Sequence, residues 1–339
     1  MSGNDVAVRV ARGGSVEAEH RATIAVVGEN GALTHAFGDP NRSFSLRSST
    51  KPLQALPLVT SGVADELGLG EDELAIACAS HNGTDQHVEV VRRLLARAGV
   101  GAEALKCGTH LPIGLRLRHE RPMHGEERDP IRHNCSGKHA GFLLLARRLG
   151  DAPEAYLEPS SRAQTLVRET VARASGLDES ALAMAIDGCS APTFAFPLVA
   201  LARGIENVAL GRARDETLGR ALGRIRDAML AEPLLVSGEG RLDYELARSF
   251  PGNVVVKGGA EAIVAIGFRE PPLGIVVKVD DGAERALAPI VVAVLRELGL
   301  VTDIARFPLL ARHERPSVRN HAGLVTGEIV AKVTLDRVS

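Results

Sequence analysis

The chain is 339 residues long, 45% hydrophobic and 24% charged, with a formal net charge of −2, which is ordinary globular composition. So even a balance argues against a general nucleic-acid or membrane-surface binder, and with no Trp and only two Tyr there is little aromatic surface for stacking on bases. No run reaches the roughly 18 apolar residues of a membrane span, the opening MSGNDVAVRVARGG lacks an apolar signal-peptide core, and four cysteines are too few for a disulfide framework. The expectation is a cytoplasmic protein with neither nucleic acid nor membrane as partner.

In chain order, DVAVRVAR alternates apolar and polar residues, and RATIAVVGENGALTHAF reads as two strands around Gly28-Glu29-Asn30-Gly31, a hairpin signal. A helix is predicted near Thr50–Val59, with Pro52 tolerated in its first turn. GEDELAIACAS predicts a helix running to a break at Asn82-Gly83, and DQHVEVVRRLLARAG an amphipathic helix ending at Gly99. Residues 107–136, rich in Gly, Pro, His and Arg, predict a long loop, which favours a functional role. SGKHAGFLLLARRLG and SSRAQTLVRETVARASG predict helices, and LAMAIDGCSAP a short strand turning at Asp187-Gly188. Helices follow near Phe194–Arg203 and Thr217–Ala231. Strands then surround Lys257 in GNVVVKGGAEAIVAIGF and LGIVVKVDD, ERALAPIVVAVLRELG forms a helix, and GLVTGEIVAKVTL closes the chain as one or two strands. The expected fold is α+β over 1–339 as one domain: a mixed sheet drawn from 5–40 and 253–335, packed with a helical region of about 45–250.

Chemistry first shows in RSSTKPLQALP, where Ser48 and Lys51 stand three apart on one helix face. A serine hydroxyl attacks an amide only when a base accepts its proton. Lysine is such a base only when neutral, and at its ordinary pKa about 0.04% is neutral at pH 7. Burial or a second cation nearby is needed to lower it. On its own the pair also reads as a helix cap beside a solvated lysine. Two later stretches change the weighing: ASHNG supplies Ser80 and Asn82, and VVVKGGAE puts Lys257-Gly258-Gly259 at the end of a β-branched run. S-x-x-K, S-x-N and K-x-G in that order mark penicillin-recognising serine hydrolases, whose third-motif lysine lies on an edge strand beside the serine.

The blocks RSSTKPLQALPLVTSG, CASHNGTDQHV, RHNCSGKHAGFL, IDGCSAPTFAFPL and VVVKGGAEA together resemble the asparaginases of the Rhizobium etli type, over nearly the whole chain. The resemblance implies a fold similar to serine β-lactamases and glutaminases, hydrolysis of L-asparagine to L-aspartate and ammonia, and a homodimer. It implies two neighbouring pairs, Ser48 with Lys51 and Ser80 with Lys257, with Ser48 as nucleophile and Ser80 in proton transfer. It also implies one zinc per chain, held by Cys135, Lys138 and Cys189 with water in a fourth place, which is the form of an open catalytic site. From spacing alone those cysteines are not a zinc site and read more readily as small buried hydrophobes, and Cys78 and Cys107 read as packing residues.

Arg47 is a candidate partner of the substrate carboxylate or a surface arginine. Asp187 is a candidate acceptor for the substrate ammonium, an orienter of a metal ligand, or a turn residue. Asn82 is expected to position groups at the substrate. His133 and His139 flank the Cys135 block, and His133 is the candidate fourth ligand were the zinc structural. Rival functions are the same machinery on glutamine, a D-amino-acid amide or a β-lactam, and a non-catalytic binding or sensor protein of the same fold.

Overall fold

The structure, a computed structural model, describes residues 6–122, 125 and 128–338. Its strands are β1 (Val6–Arg12), β2 (Ser15–Val27), β3 (Leu33–Phe37), β4 (Ser43–Ser45), β5 (Ala183–Ile186), β6 (Pro192–Pro197), β7 (Val254–Gly259), β8 (Ile263–Phe268), β9 (Leu273–Val279), β10 (Ser317–Arg319), β11 (Val325–Ala331) and β12 (Asp336–Arg337). Among the described residues nine of them form one sheet in the order β10-β11-β1-β2-β9-β8-β7, with β3 on the inner half of β2 and β12 on β3. The α+β class therefore holds, with the sheet built from both ends of the chain. The strands were expected to be mixed in direction; every described pairing is antiparallel. The short returns in β1-β2 and β7-β8-β9 leave no length for the crossover that parallel neighbours require.

β2 does two jobs along its 13 residues. Ser15 to Arg21 pair with β1 and are mostly exposed, whereas Ala22 to Val27 lie buried between β9 and β3. The pairing Ile24↔Val277 joins the two ends of the chain. Side chains alternate across the central strands, Ile263 and Ala265 entering one core and Val264 and Ile266 the other, as a pleated strand buried on both faces requires. The helix Leu198–Leu210 covers the first face and Glu284–Glu297 the second. Close approach of the first depends on Gly267 and Gly274, which oppose one another across β8 and β9. A Cβ on Gly267 would sit 2.5 Å from the Ile205 carbonyl oxygen, and one on Gly274 would strike the Ala202 carbonyl.

β4, β6 and β5 form a second, three-stranded sheet inside the region expected to be helical. The helix predicted near Phe194–Arg203 begins at Leu198, and Phe194 and Phe196 belong to β6. Pro197 disfavours helical backbone at the residue before it, and β6 is held on both edges by β4 and β5. The predicted helix near Thr50–Val59 is a 3₁₀ turn, Arg47–Thr50, followed by helices Lys51–Ala55 and Pro57–Thr60. Within 107–136 a helix, Ile113–Arg118, and a 3₁₀ turn, Pro130–Arg132, interrupt the expected loop; positions 123, 124, 126 and 127 lie outside the described residues. The remaining predicted helices stand, among them Asp85–Ala98 with Gly99 left-handed at its end. Among the described residues no helix is long and apolar enough to cross a membrane.

Candidate active site

Distant segments meet at the open end of the sheet. β4 pairs with β6, and the Leu46 N–H donates to the Phe194 carbonyl at 3.0 Å. The small sheet thus sets the turn that carries Arg47 and Ser48 beside the turn that carries Asp187 and Cys189. Arg47 adopts left-handed backbone (φ 49°), an uncommon state for a non-glycine residue that is found at functional sites. Lys257 comes from β7, the terminal strand of the main sheet. The end of β7 presses against the Ser48 turn, since a Cβ on Gly259 would lie 3.0 Å from Ser49 N. Ser80 follows the helix Glu71–Ala77, with its N–H donating to Val236 O at 2.9 Å. A cleft of about 710 Å³ opens between these segments, and both serines line it.

Both lysines converge on one serine. Lys51 Nζ lies 2.9 Å from Ser80 Oγ, 2.5 Å from Ala79 O and 3.2 Å from Cys135 Sγ; three acceptors match the three N–H bonds of an ammonium. Lys257 Nζ lies 2.9 Å from the same Ser80 Oγ and 2.6 Å from Gly258 O. Both side chains are fully buried. Burial brings the pKa of Lys257 down to about 7; the Asp243 carboxylate opposes that fall, and the Lys51 and Arg241 charges add to it. The expected pairing of Ser48 with Lys51 differs here: Lys51 reaches past its own turn to Ser80. The 3₁₀ winding of Arg47–Thr50 leaves the Ser48 hydroxyl with no hydrogen bond among the described residues, facing the cleft.

Arg47 Nε pairs with Asp187 Oδ1 at the mouth of the cleft. Burial alone would raise the Asp187 carboxyl; Lys138 and Arg47 outweigh it and hold the group below its ordinary range. Asn82 does not join this cleft. Its Nδ2 donates to Glu239 O at 3.0 Å, and it lines a neighbouring cavity of about 440 Å³. Its backbone carbonyl accepts from the Gly114 N–H at 2.8 Å.

Cys135, Lys138 and Cys189 are brought together. Lys138 Nζ lies 3.2 Å from Cys189 Sγ, and all three are nearly fully buried. A hydrogen bond from the Cys189 thiol holds Cys135 well below the ordinary thiol range despite burial, with Lys51 and Lys138 reinforcing it. Among the described residues no group of three His, Cys, Asp or Glu side chains is arranged to hold a metal. Two sulfurs and an amine nonetheless face one another, and the thiols are ligand types that suit a soft divalent ion. Burial lowers the Lys138 pKa, but the Cys189, Cys135 and Asp187 charges outweigh it and raise it, so the amine would have to lose a proton before serving as third ligand. Beside them His139 accepts or donates through Nδ1 to the Tyr156 hydroxyl at 2.7 Å, and its Nε2 is buried without a hydrogen-bond partner. His133 Nδ1 accepts from Cys135 N at 3.0 Å, and burial lowers its pKa to about 3. That bond commits its ring to the backbone rather than to an ion. Cys78 and Cys107 sit in the core, where burial raises each thiol to about 12.

The family model for L-asparaginase II matches residues 8–331. The chain belongs to the L-asparaginase II family. It is therefore an amidohydrolase, and asparagine is the substrate the family acts on. No curated protein matches the chain significantly. Among solved structures it is similar to one named "putative beta-lactamase from Bacteroides dorei DSM 17855", at 12% identity over 86% of this chain and 93% of that one, with a TM-score of 0.39.

For this L-asparaginase II family member, two cleft residues had no sequence signal. Asp243 and Arg241 enter from around the helix Leu242–Ser249, in a stretch with no motif. His110 was hidden in the predicted loop; its ring lies 4.3 Å from that of His133, and both line the cleft.

Proposed function

We propose that the protein hydrolyses the side-chain amide of L-asparagine through a serine acyl-enzyme, with lysine as the base. The observation that carries this is Ser80 Oγ held 2.9 Å from both Lys51 Nζ and Lys257 Nζ in an open cleft. Neutral Lys257 takes the Ser80 proton as Ser80 Oγ attacks the amide carbon, Lys51 stabilises the charge that develops on Ser80 Oγ, and backbone N–H groups hold the anionic oxygen of the tetrahedral intermediate. Lys257 then returns the proton to the amide nitrogen, ammonia leaves, and water cleaves the β-aspartyl ester by the same relay. Arg47 and Asp187 exchange their mutual ion pair for the α-carboxylate and α-ammonium of the substrate. A second reading keeps Ser48 as nucleophile, its proton passing through Ser80 to Lys257. It is favoured by the Ser48 hydroxyl facing the cleft free of other bonds among the described residues. Acid-quenching turnover and mapping the acylated peptide decides between them: β-aspartyl ester on Ser80 supports the first, ester on Ser48 the second, and absence of ammonia release from asparagine overturns both.

The motif blocks that resemble the R. etli type also support one zinc per chain and a homodimer, and a cytoplasmic location is proposed from the lack of an apolar signal-peptide core in the opening residues. Cys135, Lys138 and Cys189 would hold the zinc, which supplies positive charge for anchoring a carboxylate at the cleft wall. Metal analysis of the purified protein is expected to give about one zinc per chain, lost in Cys189→Ser; wild type prepared without chelators and found empty removes the site. Glutamine, D-amino-acid amides and β-lactams belong in the substrate panel, since they suit the same relay.

The charge state of Lys257 sets a pH dependence. With its pKa at about 7, the base is protonated below that value and neutral above it. kcat/KM for asparagine is therefore expected to rise through about pH 7 as pH increases. A profile flat from about pH 5.5 to about pH 8.5 would exclude Lys257 as the base.

A further inference from the structure

Gly258 N–H donates to Asp243 Oδ2 at 2.8 Å, and the same oxygen lies 3.7 Å from Lys257 Nζ. Both side chains are buried, Lys257 completely and Asp243 to 6% exposure. The carboxylate lies so close over the strand that a Cβ on Gly258 would sit 2.6 Å from Asp243 Oδ1. The glycine of the Lys-Gly pair thus makes room for a side chain from elsewhere in the chain. We infer that Asp243 is a positioning residue for the reaction: it clamps β7 through Gly258 and supplies a partial counter-charge beside Lys257 that keeps its amine pointed at Ser80. This rests on the reading in which Lys257 is the base.

The geometry distinguishes this from an ordinary ion pair. A carboxylate at hydrogen-bond distance would take an N–H of the lysine and hold it as an ammonium. At 3.7 Å there is no hydrogen bond, and the nearer oxygen is committed to the backbone. The polar contacts of Lys257 go to Ser80 Oγ and Gly258 O. Asp243 therefore acts on Lys257 through charge across a short gap. The other groups facing Lys257 are Lys51, Arg241, Cys135 and Cys78; burial and the Lys51 and Arg241 charges push its pKa down, and Asp243, ahead of Cys135, opposes them. Glu245, two residues on, turns to Arg312 and His313 instead.

The test is direct titration of Lys257 by NMR in protein labelled with [13C]lysine. The chain has six lysines, and Lys257→Arg identifies the signal. Asp243→Asn keeps an acceptor for the Gly258 N–H while removing the charge. In that variant the Lys257 signal is expected to titrate about 1–3 pH units lower than in wild type, and the acidic limb of kcat/KM for asparagine to move down with it. Asp243→Glu, which keeps the charge, is expected to titrate close to wild type. If Asp243→Asn leaves the titration of Lys257 unchanged, or Asp243→Glu shifts it as far as Asn does, the assignment is overturned. The titration needs no substrate, so failure of wild type to hydrolyse asparagine would defeat the functional reading and leave this result standing.

Discussion

Ser80→Ala is expected to lower kcat/KM for asparagine by about 10⁴-fold or more, measured as ammonia release. Two amines converge on Ser80 Oγ, so its removal takes away the proposed nucleophile and breaks the path between Lys51 and Lys257. No neighbouring hydroxyl replaces it in place, because Ser48 makes no hydrogen bond to either lysine among the described residues. Ser48→Ala keeps the Ser80 hydroxyl and both of its lysine contacts, so it is expected to impair turnover less and still to form the ester on Ser80. The reverse order, a trappable ester in Ser80→Ala and none in Ser48→Ala, would transfer the nucleophile to Ser48. Full activity in Ser80→Ala would remove the double-lysine arrangement from the chemistry altogether. The fold should survive the change, since the hydroxyl is small and the Ser80 backbone N–H keeps its bond to Val236 O.

Gly274→Val is expected to destabilise the protein by about 3 kcal/mol or more, read as a fall in the urea midpoint at unchanged slope. The helix Leu198–Leu210 rests on β8 and β9 where Gly267 and Gly274 face one another. A branched side chain at Gly274 would collide with the Ala202 carbonyl and would meet Glu206 Cβ at 2.9 Å. Backbone cannot yield as a flexible side chain does, so the helix must lift from the sheet and open the larger core. A midpoint within about 0.5 kcal/mol of wild type would show that the helix is not seated by these glycines.

Much of the sheet could be read without coordinates. Period-two alternation in Val6 to Arg12 and the turn residues between Val27 and Leu33 are local signals, and they became β1 and the β2–β3 hairpin. The predicted helix near Phe194 was moved by a local effect, Pro197, together with pairing to β4 and β5 that no short window contains. The residue types of the site were also legible: both serines and both lysines stand in motifs, and Cys135, Lys138 and Cys189 do meet. Which serine the lysines address was not. Lys51 and Ser80 are 29 residues apart, and Lys257 and Ser80 are 177 apart.

The sequence alone, then, determined that strands lie at both ends of the chain, where the long helices run and which serines and lysines stand in motifs, because each depends on neighbours a few positions away; the antiparallel direction came from the structure. Tertiary structure alone decided that Ser80 is the shared acceptor, that Asn82 turns to a different cavity, and that Asp243 stands over Gly258. It also brought Lys257 toward neutrality, because burial and the field of charges from distant segments exist only once the chain has closed around them.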